Sequence, residues 1–205
     1  LEYNAPRIRY QTTLMNGNRK GSQFERLICK ELSAWWRPGR DDIFWRSSQS
    51  GGRATQRAKS GKRTYGSYGD IAAVDPIGSP LLELFTIELK RGKSHGHPGD
   101  LIDDLAPSAK HPFIKTLLQA IQSAKQAKSH SWLIISQRDR RDCMVYGDES
   151  ALGHFISRPP CRLRIRLPCK VETTHFWLIG VRLERFFLSI KPAEIIQRVK
   201  ELYET

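Results

Sequence analysis

Apolar positions recur along this chain with two different periods, and the periods predict its elements. Phe24, Leu27, Ile28, Leu32, Trp35 and Trp36 are spaced by three and four residues, which puts them on one face of a helix. Ser22 and Glu25 fit an S-x-x-E capping box, so the helix is expected to start near Ser22. Pro38 and Gly39 should stop it. A short strand, Ile43 to Arg46, follows. Asp70 to Asp75 and Leu81 to Lys90 read as two more strands, joined by a turn around Pro76 and Gly78. In the second of these, Phe85, Ile87 and Leu89 share one face, and Leu84, Thr86, Glu88 and Lys90 share the other. Helical spacing returns at Phe113, Ile114, Leu117, Leu118, Ile121 and Ala124. Trp132 to Ser136 and Cys143 to Tyr146 are short strand-like runs.

The remaining pattern divides the chain. Residues 1–18 have no sustained period and read as a basic arm; residues 19–150 hold the elements above. Residues 151–205 read as a C-terminal β/α extension packed on that core. In it, Leu163, Ile165 and Leu167 alternate with Arg162, Arg164 and Arg166. Phe176 to Val181 is strand-like. Pro192 is placed to open a closing helix carrying Ile195, Ile196, Val199, Leu202 and Tyr203. Strands and helices in this order imply an α/β fold, a central mixed β-sheet flanked by helices.

Composition sharpens the picture in two respects. Of 205 residues, 39% are apolar, enough for a packed core and too many for wholesale disorder. No apolar run approaches the roughly 18 residues of a membrane span, no signal peptide is visible, and four Cys do not make a disulfide framework. A cytoplasmic location is the expectation. The second respect is charge. Lys and Arg number 34 against 21 acids, a net +13, and such a balance favours polyanions, nucleic acid among them. Residues 47–69 concentrate it: Arg53, Arg57, Lys59, Lys62 and Arg63 lie among glycines and serines with no acid. A mobile basic loop is expected there, long enough to ask for a functional reason.

The sharpest candidate chemistry is Asp70 followed, one strand later, by Glu88-Leu89-Lys90. Glu88 and Lys90 leave one strand on the same face. If Asp70 heads a hairpin partner, both acids surround one point. Hard oxygen ligands of this kind suit Mg²⁺ or Mn²⁺, which keep waters and take phosphate oxygens. A lysine beside them can orient the attacking water or offset charge on the phosphate. The plainer alternative is a solvated strand end with a surface ion pair worth little. Flanking apolar residues favour a buried sheet, where two acids and a lysine are costly without a purpose.

Four segments together resemble a known family. RKGSQFER at Arg19 to Arg26, WRSSQSGG at Trp45 to Gly52, GDIAAVD at Gly69 to Asp75 and IELK at Ile87 to Lys90 look like the archaeal-type Holliday junction resolvases of the PD-(D/E)xK nuclease superfamily. The resemblance covers residues 19 to about 90, more loosely to about 147; residues 151–205 resemble nothing in it. It implies a restriction-endonuclease-like core and metal-dependent cleavage of branched DNA; the two-fold symmetry of a four-way junction makes a homodimer the expectation, and no GxxxxGK[ST] loop points to ATP. Asp70 and Glu88 would be metal-binding acids, the Leu89 carbonyl would complete the metal site, and Lys90 would be the superfamily's lysine. Glu25 would be the first-helix acid reaching the metal, unless it serves as the helix cap. Arg19, Lys20, Arg26, Arg46, Ser47 and Ser50, with the basic residues of the loop, would contact DNA. The longer segment between Ser50 and Asp70, the loop after Lys90 and the C-terminal extension depart from the family pattern. A restriction-type or nicking nuclease on plain duplex, or a non-catalytic DNA-binding protein on the same scaffold, are the alternatives.

Other positions read more plainly. His95 and His97 sit in a Gly/Pro-rich loop. Gln119, on the second helix, either approaches the catalytic face or is simply exposed, the second being preferred. Tyr68 is a loop aromatic. Arg162, Arg164 and Arg166 are either a phosphate-tracking ladder or a solvated strand face.

Overall fold

The computed structural model describes residues 17–47, 68–101, 110–167 and 174–203. Helix α1 (Gly17–Trp36) leads into strands β1 (Phe44–Arg46) and β2 (Ile71–Ala73). Helix α2 (Ser79–Leu84) runs directly into β3 (Phe85–Arg91). Then come α3 (Pro112–Ala127), β4 (Ser131–Gln137), β5 (Met144–Asp148) and the short α4 (Glu149–Leu152). The chain closes with β6 (Cys161–Leu167), β7 (Thr174–Arg182), α5 (Leu183–Ser189) and α6 (Pro192–Tyr203).

Five strands form one mixed sheet in the order β3-β4-β5-β7-β6. Only β3 and β4 run parallel, with α3 as their crossover; the other pairs are antiparallel. β1 and β2 form a separate antiparallel ribbon. Each face of the large sheet has its own core. On one, α1 contributes Phe24, Ile28, Leu32, Trp35 and Trp36 against Ile87, Leu89, Ile135, Val181 and Phe186. On the other, Phe113, Ile114, Leu117 and Ala120 of α3 pack on Trp132, Ile134, Tyr146, Ile165 and Leu178. The expected mixed sheet flanked by helices is therefore present.

Several boundaries differ from the pattern, each for a physical reason. α1 begins at Gly17, not near Ser22. Residues 17–23 carry no large apolar side chain, and apolar spacing reports only a buried face. Ser22 and Glu25 therefore lie inside the helix, and the capping box does not form. Leu81 to Leu84 are helical, not strand: a short apolar run with Leu81 and Leu84 buried fits either period. The expected hairpin between the Asp70 and Glu88 strands is absent, because β2 pairs with β1. Among the described residues, the backbone bond from the Asp70 N–H to the Ile87 carbonyl, at 2.9 Å, links the ribbon to β3.

The last 55 positions are part of this architecture. β7 lies between β5 and β6, and the Trp35 indole N–H of α1 donates to the carbonyls of Phe187 and Ile190, at 3.1 and 3.0 Å. Ser33 pins the ribbon from the other side. Its hydroxyl donates to the Cys29 carbonyl at 2.8 Å and accepts the Phe44 N–H at 2.9 Å.

Candidate active site

Glu88 sits in the middle of β3 and only 1% of it is exposed. Its side chain turns toward α3, where the Gln119 amide donates to Oε2 at 2.8 Å and the Ser123 hydroxyl donates to Oε1 at 2.9 Å. Burial raises its carboxyl above the usual carboxylate range, and the charge of Asp70 pushes the same way; Lys90 and Ser123 oppose them. Lys90, two residues on and on the same face, places Nζ 3.1 Å from Glu88 Oε2 and 3.9 Å from Asp70 Oδ2. Asp70 is held by its own neighbours. Its Oδ2 accepts the Leu89 N–H at 2.7 Å, and its carbonyl accepts the Ser47 N–H at 2.9 Å.

The turn before Asp70 requires glycine. Gly69 has φ +77°, and a Cβ there would lie 2.7 Å from the Ile87 carbonyl oxygen. Its own carbonyl accepts the Ser47 hydroxyl at 2.6 Å. Ser47 is 3% exposed and braces the Gly69–Asp70 turn. Glu25 pairs with Arg46 through a short Nε–Oε2 contact. The structure thus brings together Asp70, Glu88, Lys90 and the Leu89 backbone, and sets Glu25 with Arg46 beside α1. Arg26 is exposed. Arg19 and Lys20 lie in the first turn of α1. Ser50, Arg53, Arg57, Lys59, Lys62 and Arg63 lie outside the described residues.

Two further contributors come from α3. Gln119 is exposed, the preferred expectation, and also reaches Glu88, the alternative. Ser123 was not singled out. Their i, i+4 spacing on α3 was the available signal, since such residues are stacked neighbours on a helix. The two loop histidines also have defined surroundings. His97 Nδ1 accepts the Gly99 N–H at 2.9 Å, leaving the proton on Nε2, which donates to the Tyr146 hydroxyl at 3.1 Å. His95 is 7% exposed and its Nδ1 has no hydrogen-bond partner.

Burial first, then the charges of Lys90 and Arg138, push His95 down to about 4. In the unfolded chain it titrates near 6.5. The folded state binds the proton less readily, so stability is full above about pH 6.5 and is lost as pH falls toward 4. Between pH 7 and 5 this one group should remove about 2 kcal/mol of unfolding free energy. Urea titrations at the two pH values should show His95→Phe with a correspondingly smaller loss than wild type. Equal losses would rule out the buried neutral imidazole.

Two carboxylates flank one cationic nitrogen at 3.1 and 3.9 Å, so they converge where positive charge is already held. Among the described residues no third His, Cys, Asp or Glu joins them. Two hard carboxylates suit an ion that retains water and takes phosphate oxygens. The residues fit a Mg²⁺-type ion and lack the nitrogen and sulfur ligands of a zinc site.

No curated protein and no solved structure matches the chain. A family model described as "Phage putative PDDEXK endonuclease" matches residues 16–197. That span runs from the start of α1 into α6 and includes every residue of the Asp70–Glu88–Lys90 cluster, and on this match the chain belongs to the phage PD-(D/E)xK endonuclease family.

Proposed function

We propose that this protein is a divalent-metal-dependent endonuclease that hydrolyses phosphodiesters in branched DNA, the four-way junction foremost. The observation that carries the reading is the convergence of Asp70, Glu88 and Lys90 at one point of the β2–β3 junction. Asp70, Glu88 and the Leu89 carbonyl would hold Mg²⁺ or Mn²⁺. The ion would supply a polarised phosphate and an acidified water for in-line attack. Lys90 sets a positive charge where negative charge builds on the phosphate. Gln119 and Ser123 fix the Glu88 carboxylate, so it needs no reorganisation as charge develops. Arg46, held by Glu25, adds a cation beside the path of the DNA backbone. The expected products are a 5′-phosphate and a 3′-hydroxyl.

The branched substrate rests on the likeness to junction resolvases in the four sequence segments and on the basic stretch at 53–63. A four-way junction has approximate two-fold symmetry and needs two cuts, so a homodimer with two sites belongs to the same proposal. The test is incubation with junction, flap and linear duplex DNA, with and without Mg²⁺. Paired, Mg²⁺-dependent cuts near the branch point are expected. Cleavage of linear duplex at one sequence, with junctions ignored, would replace this reading with a restriction-type one. No cleavage of any DNA with Mg²⁺ or Mn²⁺ would reject catalysis.

A further inference from the structure

The small ribbon leaves one aromatic open beside the catalytic cluster. Trp45, at the centre of β1, is 52% exposed. Among the described residues its ring makes no ring, cation or hydrogen-bond contact. Its neighbours along the chain are all committed. Ile43 and Phe44 are fully buried in the core, Arg46 pairs with Glu25, and Ser47 bonds to Gly69.

The ladder places Trp45 relative to the site. It stands opposite Ala72 on β2, and the pairing continues to Ser47, whose N–H donates to the Asp70 carbonyl at 2.9 Å. Directly opposed residues share a face, and so do residues two apart on one strand. Trp45, Ala72 and Asp70 therefore project from one face of the ribbon, with Asp70 the diagonal neighbour of Trp45. Diagonal neighbours lie about 7–8 Å apart, within reach of an aromatic side chain. Ala72 carries only a methyl group, so nothing large on the ribbon separates the indole from the Asp70 carboxylate.

We infer that Trp45 selects branched DNA: its indole stacks on the open face of a base pair at the branch point, one or two nucleotides from the phosphate met by Asp70, Glu88 and Lys90. The inference rests on the proposed reading that this cluster holds the scissile phosphate. Successive nucleotides of one strand rise about 3.4 Å, so a phosphate over Asp70 brings bases one or two steps away over Trp45. Inside an uninterrupted duplex both faces of every base pair are already stacked, and an indole gains nothing there. At a branch point a base pair loses one neighbour, and an aromatic ring accepts any base on its π-face. Position also names the occupant. A protein partner seated on Trp45 would cover the adjoining carboxylates and bar DNA from them.

Gel-shift titration of the full chain in EDTA tests this, with an immobile four-way junction and with a relaxed closed minicircle that has neither branch nor end. Trp45→Ala should weaken junction binding about 5- to 100-fold, the loss of one stacked base, and change minicircle binding less than about twofold. Trp45→Phe should keep most of the junction affinity. Trp45→Leu, which still covers the ribbon but offers no π-face, should behave like Trp45→Ala. Photocrosslinking of the wild-type chain to a junction carrying 5-iodouracil at the branch point should label the tryptic peptide 41–46. Unchanged junction affinity in Trp45→Ala, equal losses on junction and minicircle, full retention by Trp45→Leu, or crosslinks confined to other peptides would each overturn the inference. A changed sedimentation mass for Trp45→Ala at unchanged junction affinity would assign the ring to a second copy of the chain instead. Failure of the catalytic reading has a different signature: wild type would cut no DNA with Mg²⁺ or Mn²⁺, while the crosslink and the junction preference persisted and upheld the stacked indole.

Discussion

Asp70→Asn and Glu88→Gln should each lower metal-dependent cleavage by about 1,000-fold or more, while DNA binding in EDTA stays within a few-fold of wild type. Both replacements keep shape and remove one negative charge. In Asp70→Asn the side-chain carbonyl can still accept the Leu89 N–H, so the turn should hold. In Glu88→Gln the new amide can keep Gln119 and Lys90 as donors to its oxygen and turn its NH₂ toward the Ser123 hydroxyl. What each loses is a hard anionic ligand, and with it charge stabilisation of the order that single preorganised groups supply. Glu88 offers a second readout. Its carboxyl is raised by burial and by Asp70, so at neutral pH the ionised form opposes folding. The metal-free Glu88→Gln protein should therefore melt no lower than wild type, and higher if the raised carboxyl dominates. Activity falling as thermal stability holds is the signature of a functional carboxylate. Near wild-type cleavage by both variants would remove the metal site from the protein.

A chain ending at residue 150 should lose its cooperative unfolding transition altogether. Such a cut removes β6, β7, α5 and α6. It leaves β5 as an unpaired edge and strips Phe186, Phe187, Ile190 and Val181 from the core that covers α1. Trp35 stacks on Phe187 at 5.3 Å and packs against Phe186 at 5.4 Å, and its indole N–H would lose both carbonyl partners. Each fully buried aromatic of this kind is worth about 3–5 kcal/mol on truncation to Ala, and a domain this size is stable by roughly 5–15 kcal/mol in total. Heat denaturation followed by circular dichroism checks it: a sigmoidal melt from the truncated chain would show that the first 150 residues fold alone.

What the sequence disclosed, and what it did not, follows from the range of each signal. The apolar stripe from Phe24 to Trp36 and that from Phe113 to Ala124 each repeat several times within one helix, and both elements are where the spacing puts them. Leu81 to Leu84 is one turn long, too short for period to separate helix from strand, and tertiary packing decided it. Partner choice is not local at all. Nothing within Asp70 to Asp75 says that β2 pairs with β1, or that Phe176 to Val181 inserts between β5 and β6. At the site, Asp70, Glu88 and Lys90 were legible because their acid-and-lysine spacing has a chemical reason. Gln119 was a candidate set below the exposed reading, and Ser123 was not seen at all, since an amide and a hydroxyl on a helix have many uses and only the fold brings them to Glu88. Ser47 was recognised as relevant from the resemblance, and its bonds to Gly69 and Asp70 are what the fold adds.

The two carboxylates of the site belong to different sheets. Asp70 hangs from the small ribbon and Glu88 from the large sheet, and the gap between them is set by an amide–carbonyl link, a left-handed glycine and the bond from the Leu89 N–H to the Asp70 carboxylate. Competence for cleavage is therefore a gauge of how the two sheets are docked. A slight tilt of the ribbon, too small to disturb either hydrophobic layer, would part the ligands, so mild denaturant should silence the protein well before it unfolds it.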